Sequence, residues 1–310
     1  MVGGCASAGR FARHWRSRQC FRGCIWRASD TNQESSRGRG FSEGRTVAVE
    51  YRWAEGRLDR LPELAVDLVA RKVSVIIATG GLQAPRAALS ATSTIPVVFS
   101  TDGDPVKQGL VSSLSRPGAN ATGITVFSAS LTAKRLDVFR ELVPKNDFFA
   151  VLVNPTATQA AEQISDAQEA GRSLGFEIRV VNAASDADFE PVLATLAASP
   201  NAALLVSADP LFIARRQMLV AVVNRHVIPA IYGRRDFVAA GGLASYGANL
   251  AEPYYLMGSY VARILKGEKI ADLPVIQPTK FEFVVNRRTA GALSIAIPDK
   301  LLALADEVID

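Results

Sequence analysis

Two short apolar runs, at residues 73–78 and 95–99, stand out in the pattern of hydrophobic and polar positions along the chain. Both runs are rich in β-branched residues and neither alternates with polar positions, which is typical of strands buried on both faces of a parallel sheet. A polar turn with glycine follows each run, at residues 79–81 and 100–104. Because ligands of open α/β sheets lie beyond the carboxyl ends of the strands, these turns predict half of a binding site.

The same alternation of apolar strands and amphipathic helices continues to the end of the chain and restarts near residue 126. Strands are predicted at residues 46–53, 73–78, 95–99, 123–126, 148–153, 176–181, 203–206, 228–232, 243–246 and 281–286. Helices are predicted at residues 58–71, 84–91, 104–114, 131–143, 160–174, 188–198, 211–225, 237–240, 252–266, 288–293 and 300–308. This succession predicts an α/β chain with two sets of βα units, each a parallel sheet covered by helices.

A local repeat connects the two sets. The sequence PVVFSTDGDPV at 96–106 parallels LLVSADPLF at 204–212, each with an apolar strand followed by serine and then Asp-Pro. Aspartate before proline is typical of an N-cap followed by the first helical position. We therefore expect both lobes to present helix starts to one ligand.

Charge and cysteine set residues 1–40 apart from the rest. This segment holds eight arginines against two acidic residues, whereas the remaining 27 basic and 28 acidic residues nearly cancel, so no nucleic-acid-binding face is expected. The three cysteines lie here as well, and His14 with Cys20 and Cys24 matches no standard zinc spacing, so neither a metal nor a cofactor is predicted. Without periodicity or a readable signal peptide, residues 1–40 are expected to be disordered or the product of a misplaced start or shifted frame.

Signatures of catalysis are not found. Neither G-x-G-x-x-G nor G-x-x-x-x-G-K-[ST] is present, and G-x-S-x-G is missed by one residue at 242–247. His226 ends a predicted helix, where a structural role is the simpler interpretation. No enzyme is therefore predicted.

Hydrogen-bonding and aromatic side chains do collect at the predicted strand ends. The backbone amides of Gly80 and Gly81 suit a carboxylate, Asp209 suits an ammonium group, and Tyr232 with Tyr246 can clamp an apolar part. Turn chemistry for the glycines, helix capping for the aspartates and core packing for the tyrosines stay open as alternatives. The candidate ligand-binding residues are Thr79, Gly80, Gly81, Ser100, Asp102, Asp104, Asn154, Asp209, Tyr232 and Tyr246.

Residues 41–310 resemble the ABC-transporter substrate-binding protein family that includes receptors for tryptophan and other aromatic amino acids. The matching stretches are EGRTVAVEYRWAEG (43–56), IPVVFSTDGDPVKQGLVSSLSRPGANATGIT (95–125), LVNP (152–155), SADPLF (207–212), IPAIYGRRDFVAAGGLASYG (228–247) and ILKGEKIADLPVIQPTKFEFVVN (264–286). The combination is specific, although each piece alone is not.

The resemblance implies a type I periplasmic binding-protein fold, with two Rossmann-like lobes and a three-crossing hinge. The lobes would comprise 41–125 plus 248–280 and 126–247 plus 281–310, with residues 1–40 replacing the family's usual first strand. It further implies an extracytoplasmic, monomeric receptor in the periplasm that captures an amino acid or similar solute in the interlobe cleft by hinge closure. Its partners would be that solute and an ABC permease with its ATPase.

Two other functions remain open from the residues alone. An α/β enzyme would work in the same cleft but would need a base or nucleophile. The effector domain of a transcription regulator would need a helix-turn-helix before residue 45, where no such periodicity occurs. Tyr232, Tyr246 and Phe127 permit an aromatic solute without requiring one.

Overall fold

The chain forms two compact units in the computed structural model, which describes residues 24–30, 47–55, 57–101, 103–125, 129–146, 148–249 and 251–310. Unit 1 comprises Met1–Val126 and Leu250–Pro278, and unit 2 comprises Phe127–Asn249 and Thr279–Asp310. The chain therefore passes between the units three times. The boundaries expected at residues 125, 248 and 280 lie close to these.

The elements follow one another in an alternating order. The described strands are β1 (Cys24–Asp30), β2 (Val47–Arg52), β3 (Val75–Thr79), β4 (Val97–Thr101), β5 (Ala121–Thr125), β6 (Phe148–Val153), β7 (Glu177–Asn182), β8 (Ala202–Val206), β9 (Ala230–Tyr232), β10 (Ala244–Ala248), β11 (Phe281–Asn286) and β12 (Glu307–Ile309). The described α-helices are α1 (Leu61–Ala70), α2 (Gln83–Ala91), α3 (Ala129–Leu142), α4 (Ala160–Leu174), α5 (Phe189–Ala197), α6 (Pro210–Ala214), α7 (Arg216–Arg225), α8 (Arg235–Ala239), α9 (Ala251–Leu265), α10 (Arg287–Ala292) and α11 (Asp299–Leu304).

The sheet of unit 1 has the strand order β2-β1-β3-β4-β5, and β3, β4 and β5 are parallel. Strands β3, β4 and β5 are buried along their whole length, in agreement with the apolar runs at residues 73–78 and 95–99. Val75 and Ile77 of β3 pack in one cluster with α9, whereas Ile76 and Ala78 pack in another with α1 and α2. Apolar side chains thus occupy both surfaces of the sheet, and polar groups are left to the strand ends.

The expectation that residues 1–40 are disordered, with the family's usual first strand missing or replaced, needs one correction: residues 24–30 are not disordered but form a strand. These residues form β1, which lies between β2 and β3 and pairs antiparallel with both; Trp26 stands opposite Tyr51 on one side and Ile77 on the other. The physical reason is that two neighbouring strand edges would otherwise leave rows of N–H and C=O groups unpaired inside the sheet. A strand that forms because its neighbours need hydrogen-bond partners cannot be predicted from local periodicity.

The sheet of unit 2 has the strand order β12-β11-β10-β9-β8-β6-β7. Strands β6 to β10 are mutually parallel, so their carboxyl ends share one edge, while β11 runs antiparallel to β10. One face packs on α3, α4, α10 and α11 in a core that includes Ile231 and Ala244. Since successive strand residues alternate between faces, Tyr232 points to the opposite face, which carries α8.

Three predicted helices differ from the observed structure. Residues 104–114 form a series of turns, because Gly109 adopts a left-handed φ of 71° after a single turn. The helix predicted at 211–225 is divided at Arg215, whose backbone leaves helical geometry and whose side chain pairs with Asp186 at 2.9 Å. The helix predicted at 300–308 stops at Leu304, since β12 pairs with β11 instead.

Within the described residues, no helix combines the length and the apolar character that crossing a bilayer requires.

Gly123 of β5 is held directly beside the backbone of Phe99 on β4, and a Cβ atom there would lie 2.0 Å from the Phe99 carbonyl oxygen. Neither backbone can move without breaking the parallel ladder. We expect Gly123→Ala to lower the free energy of unfolding by about 3 kcal/mol, measured by urea denaturation.

The matched control is Gly291→Ala in α10, where a Cβ atom would meet nothing within 4 Å. Because alanine is the better helix former, we expect this variant to be unchanged or more stable by up to about 1 kcal/mol. Equal losses in the two variants would contradict the close packing of β4 and β5.

Candidate functional site

The carboxyl end of β3 in unit 1 has the strand–glycine–helix arrangement expected from the sequence. Gly80 and Gly81 have φ values of 100° and 96°, which only glycine adopts easily. Helix α2 begins at Gln83, and no side chain caps its first turn. This end of the helix therefore suits a negatively charged group.

Two hydroxyl groups lie next to this turn. Ala78 of β3 is level with Phe99 of β4, so the following residues, Thr79 and Ser100, are neighbours on one face. Thr79 Oγ1 is buried and has no hydrogen-bond partner among the described residues. Since a buried hydroxyl without a partner is unfavourable, this atom is suited to a hydrogen bond from or to a solute.

The second turn of unit 1 gives a different result. Asp102 lies outside the described residues. Asp104 Oδ1 accepts hydrogen bonds from the backbone N–H groups of Val106 at 2.9 Å and Lys107 at 3.3 Å. Asp104 thus caps its own turn, and nothing in its contacts points to a solute.

Asn154 and Asp209 meet at the shared carboxyl edge of unit 2, after the neighbouring strands β6 and β8. Asn154 Nδ2 donates to Asp209 Oδ1 at 3.3 Å, and Asp209 Oδ1 also accepts the N–H of Leu211 at 2.8 Å, which caps α6. Asn154 Oδ1 accepts from the N–H and the hydroxyl of Thr156. The two strand ends are therefore joined by one polar network.

Asp209 is a buried carboxylate without a cationic partner. It is 2% exposed, and no lysine, arginine or histidine of the described chain forms an ion pair with it. Burial raises its pKa, and the hydrogen bonds from Leu211 and Asn154 oppose that shift only in part. An ammonium group brought to this position would supply the missing positive charge.

The two tyrosines do not form the expected clamp. Tyr232 is fully buried, its ring stacks on Phe237 with centroids 4.7 Å apart, and burial raises its pKa. Tyr246 is only partly buried, and its ring packs against the α3 face of the sheet and toward Phe281. The two rings lie on opposite faces, so they cannot clamp one group, and of the two residues only Tyr246 is partly exposed.

Arg135 is a buried cation near this edge of the sheet and was not among the candidate residues predicted from the sequence. It lies on α3, is 5% exposed, and donates from Nε to the Tyr246 carbonyl oxygen at 2.9 Å. Its guanidinium packs on Gly233, where a Cβ atom would come within 3.1 Å of Nη2. The available signal was its place on the apolar side of α3, four residues from both Leu131 and Phe139.

Burial lowers the pKa of the Arg135 guanidinium to about 10, with the neighbouring Tyr246 opposing the shift. The group therefore remains protonated at neutral pH. A positive charge is thus held close to the edge on which Asp209 places a negative one.

No metal-binding cluster occurs in the described part of the chain. This part contains no group of three or more His, Cys, Asp or Glu side chains able to hold a metal ion. His14 and Cys20 of the rejected zinc arrangement lie outside the described residues. His226 follows α7 and pairs through Nε2 with Glu190 at 3.0 Å, a helix-end contact of the kind expected.

The model of the family described as ABC transporter substrate binding protein matches residues 28–309. The chain belongs to this family. Its members are substrate-binding proteins, and this chain is therefore a substrate-binding protein and not an enzyme. The type I periplasmic binding-protein fold expected from the sequence is confirmed by the solved structures that it resembles.

Three relatives illustrate the similarity. A tyrosine-binding protein of Clostridioides difficile (strain R20291) is 24% identical over 257 residues, which cover 83% of this chain and 73% of that protein. A conserved domain protein from Vibrio cholerae has a TM-score of 0.79 at 25% identity, covering 86% of this chain and 89% of that one. An ABC domain from Streptococcus pneumoniae in complex with L-Trp has a TM-score of 0.74 at 23% identity, covering 83% and 88%.

The raised pKa of Asp209 has a defined consequence for stability. A carboxyl whose pKa is higher in the folded chain than the ordinary 3.8 stabilises the fold below that value, and this contribution is lost as the pH rises through the folded pKa. Asn at this position keeps an oxygen for the Leu211 N–H but carries no charge. We expect Asp209→Asn to raise the melting temperature at pH 7 relative to wild type and to have a smaller effect at pH 4.

Asp188 provides a control of opposite sign, because hydrogen bonds from Ser185 and Ala184 lower the pKa of its carboxyl. Its contribution is present above the ordinary pKa and is lost as the pH falls through the folded one. Asp188→Asn should therefore lower the melting temperature at pH 7 and have less effect in acid. If the change in melting temperature at pH 7 has the same sign in both variants, the raised pKa assigned to Asp209 is wrong.

Proposed function

We propose that this chain is the extracytoplasmic solute-binding component of an ABC importer. It takes up a small organic solute, an amino acid or a close relative, at the carboxyl ends of its parallel strands. It acts as a monomer in the periplasm and passes the solute to a membrane permease driven by an ATPase. The interlobe cleft implied by the family resemblance is the place proposed for the solute.

The observation that carries this proposal is that polar groups at the strand ends are buried and lack hydrogen-bond or ion-pair partners. Thr79 Oγ1 in unit 1 and Ser207 Oγ in unit 2 are buried and have no hydrogen-bond partner in the described chain. Asp209 is buried without a cation. Groups left unsatisfied in this way are costly for folding alone, and a polar solute that pairs with them offsets that cost.

Aromatic amino acids are the first solutes to test. One relative is named a tyrosine-binding protein, and another was solved in complex with L-Trp. Tyr246 offers a partly exposed ring for stacking, and Asp209 offers a negative charge for the ammonium group. L-tyrosine and L-tryptophan both carry the features that these residues recognise.

Hinge closure requires the solute to interact differently with the open and closed states. A solute that bound one unit alone, with the same affinity in both states, would not shift the equilibrium. The proposal therefore assigns solute contacts to both units, with Thr79, Gly80 and Gly81 in the first and Asp209 in the second.

The test is a titration of the full chain with L-tyrosine, L-tryptophan and the other common amino acids, followed by thermal shift and calorimetry. A solute present at a hundredfold excess over its Kd should stabilise the chain by about 2.7 kcal/mol. The solute should be recovered unchanged. The proposal fails if no amino acid shifts the melting temperature, or if one is converted to a product.

Thr79→Val removes the unpartnered hydroxyl and keeps the side-chain shape. We expect solute affinity to fall by about tenfold, the equivalent of one hydrogen bond, while the melting temperature of the free chain stays the same or rises. The control is Thr122→Val in β5 of the same sheet, whose hydroxyl donates to the Leu273 carbonyl oxygen at 2.7 Å. That variant should lose stability and keep its affinity, and the reverse pattern would exclude Thr79 from the site.

A further inference from the structure

Arg135 is a buried cation that the fold does not neutralise. Its one hydrogen bond to the described chain runs from Nε to the carbonyl oxygen of Tyr246, and no described carboxylate forms an ion pair with it. Burying an unpaired charge is strongly unfavourable, and natural proteins rarely keep one unless it has a partner in the functional state. The two Nη atoms of the guanidinium are therefore candidates for an anionic ligand.

The position of Arg135 places this cation at the carboxyl edge of the unit 2 sheet. Helix α3 precedes β6 and packs on β10, so it must return the chain to the amino end of the parallel strands. Its first turns, which include Arg135, therefore lie toward their carboxyl ends. The guanidinium contacts Gly233, the residue that directly follows β9, while Asp209 follows the adjacent strand β8.

Gly233 makes room for the guanidinium. A Cβ atom at this position would lie 3.1 Å from Nη2 and 3.4 Å from Cζ of Arg135, and any larger side chain would displace the group. Gly247 on β10 approaches Gly233 closely as well, since a Cβ there would lie 1.9 Å from the Gly233 carbonyl oxygen. Gly247 thus allows Gly233 to pack closely against β10, and Gly233 leaves space for the Arg135 guanidinium.

We propose, resting on the proposed function, that Arg135 binds the carboxylate of the solute and makes this receptor selective for carboxylate-bearing solutes. A guanidinium with Nε engaged still offers its Nη donors to a carboxylate. Arg135 contacts the residue that follows β9, and Asp209 follows the adjacent strand β8. A positive and a negative charge are thus assigned to neighbouring strand ends, and an α-amino acid carries the two opposite charges.

A purely structural role for Arg135 would consist of holding the Tyr246 carbonyl oxygen through its N–H group. A neutral glutamine amide can also donate to this carbonyl oxygen, but it cannot form an ion pair with a carboxylate. Replacing Arg135 with glutamine therefore affects binding of carboxylate-bearing solutes only if Arg135 binds the carboxylate. The experiment therefore compares solutes that differ in the carboxylate alone: L-tyrosine against tyramine, and L-tryptophan against tryptamine.

The variants are Arg135→Gln and, as a matched control on the same helix, Arg140→Gln, whose exposed side chain pairs with Asp137 at 3.3 Å. Calorimetry on the full chain should show that wild type prefers each amino acid over its amine. In Arg135→Gln the affinity for the amino acids should fall roughly ten- to a hundredfold, whereas that for the amines should not fall. Arg140→Gln should retain the wild-type preference.

The melting temperature of the free Arg135→Gln chain should equal or exceed that of wild type, because the buried charge is gone. If this variant fails to fold, Arg135→Lys replaces it: it keeps the charge, loses the planar fork and should reduce the preference for amino acids over amines. An undiminished preference in the folded variant overturns the inference and assigns the carboxylate to another group, such as the Gly80 and Gly81 amides.

The inference and the proposed function fail in different ways. If wild type binds the amino acids and the folded Arg135→Gln chain keeps the full preference for them over the amines, the proposed function stands and the role of Arg135 is refuted. If wild type binds no amino acid, both are refuted together.

Discussion

Burial of the central parallel strands on both faces is the constraint on which the rest of the structure depends. Val75 and Ile77 cover one surface of β3, while Ile76 and Ala78 cover the other. Strands enclosed in this way have no surface on which to display polar side chains, so polar chemistry is confined to the points where they end. Thr79 lies at such an end, and so do the polar groups that follow β6, β8 and β9.

The same burial gives those polar groups an unfavourable free energy of transfer from water, which opposes folding. A charge that is withdrawn from water and left unpaired opposes folding, and Asp209 and Arg135 are both in this position within the described chain. Such groups are useful in a binding protein, because a solute of complementary charge forms the ion pairs that are missing from the free chain, and their free energy adds to the affinity. Stability of the free chain and affinity for the solute are therefore linked through the same side chains.

The sequence predicted the features that depend on neighbouring residues. The strand at 148–153 was predicted with its observed bounds, because six consecutive apolar residues between polar turns leave little choice. Features that depend on distant partners were missed: β1 forms between two strands that need a neighbour, and β12 extends the edge beside β11. Arg135 was missed because its burial depends on Gly233, almost a hundred residues away.

The central claim is that a solute binds where the parallel strands of unit 2 end, and a crystal structure of the full chain grown with L-tyrosine tests it most directly. The account predicts density for the amino acid at this edge, with its carboxylate within about 3 Å of the Arg135 guanidinium nitrogens and its ammonium near Asp209. Density for L-tyrosine elsewhere, with Arg135 and Asp209 out of reach of its charged groups, would contradict the account.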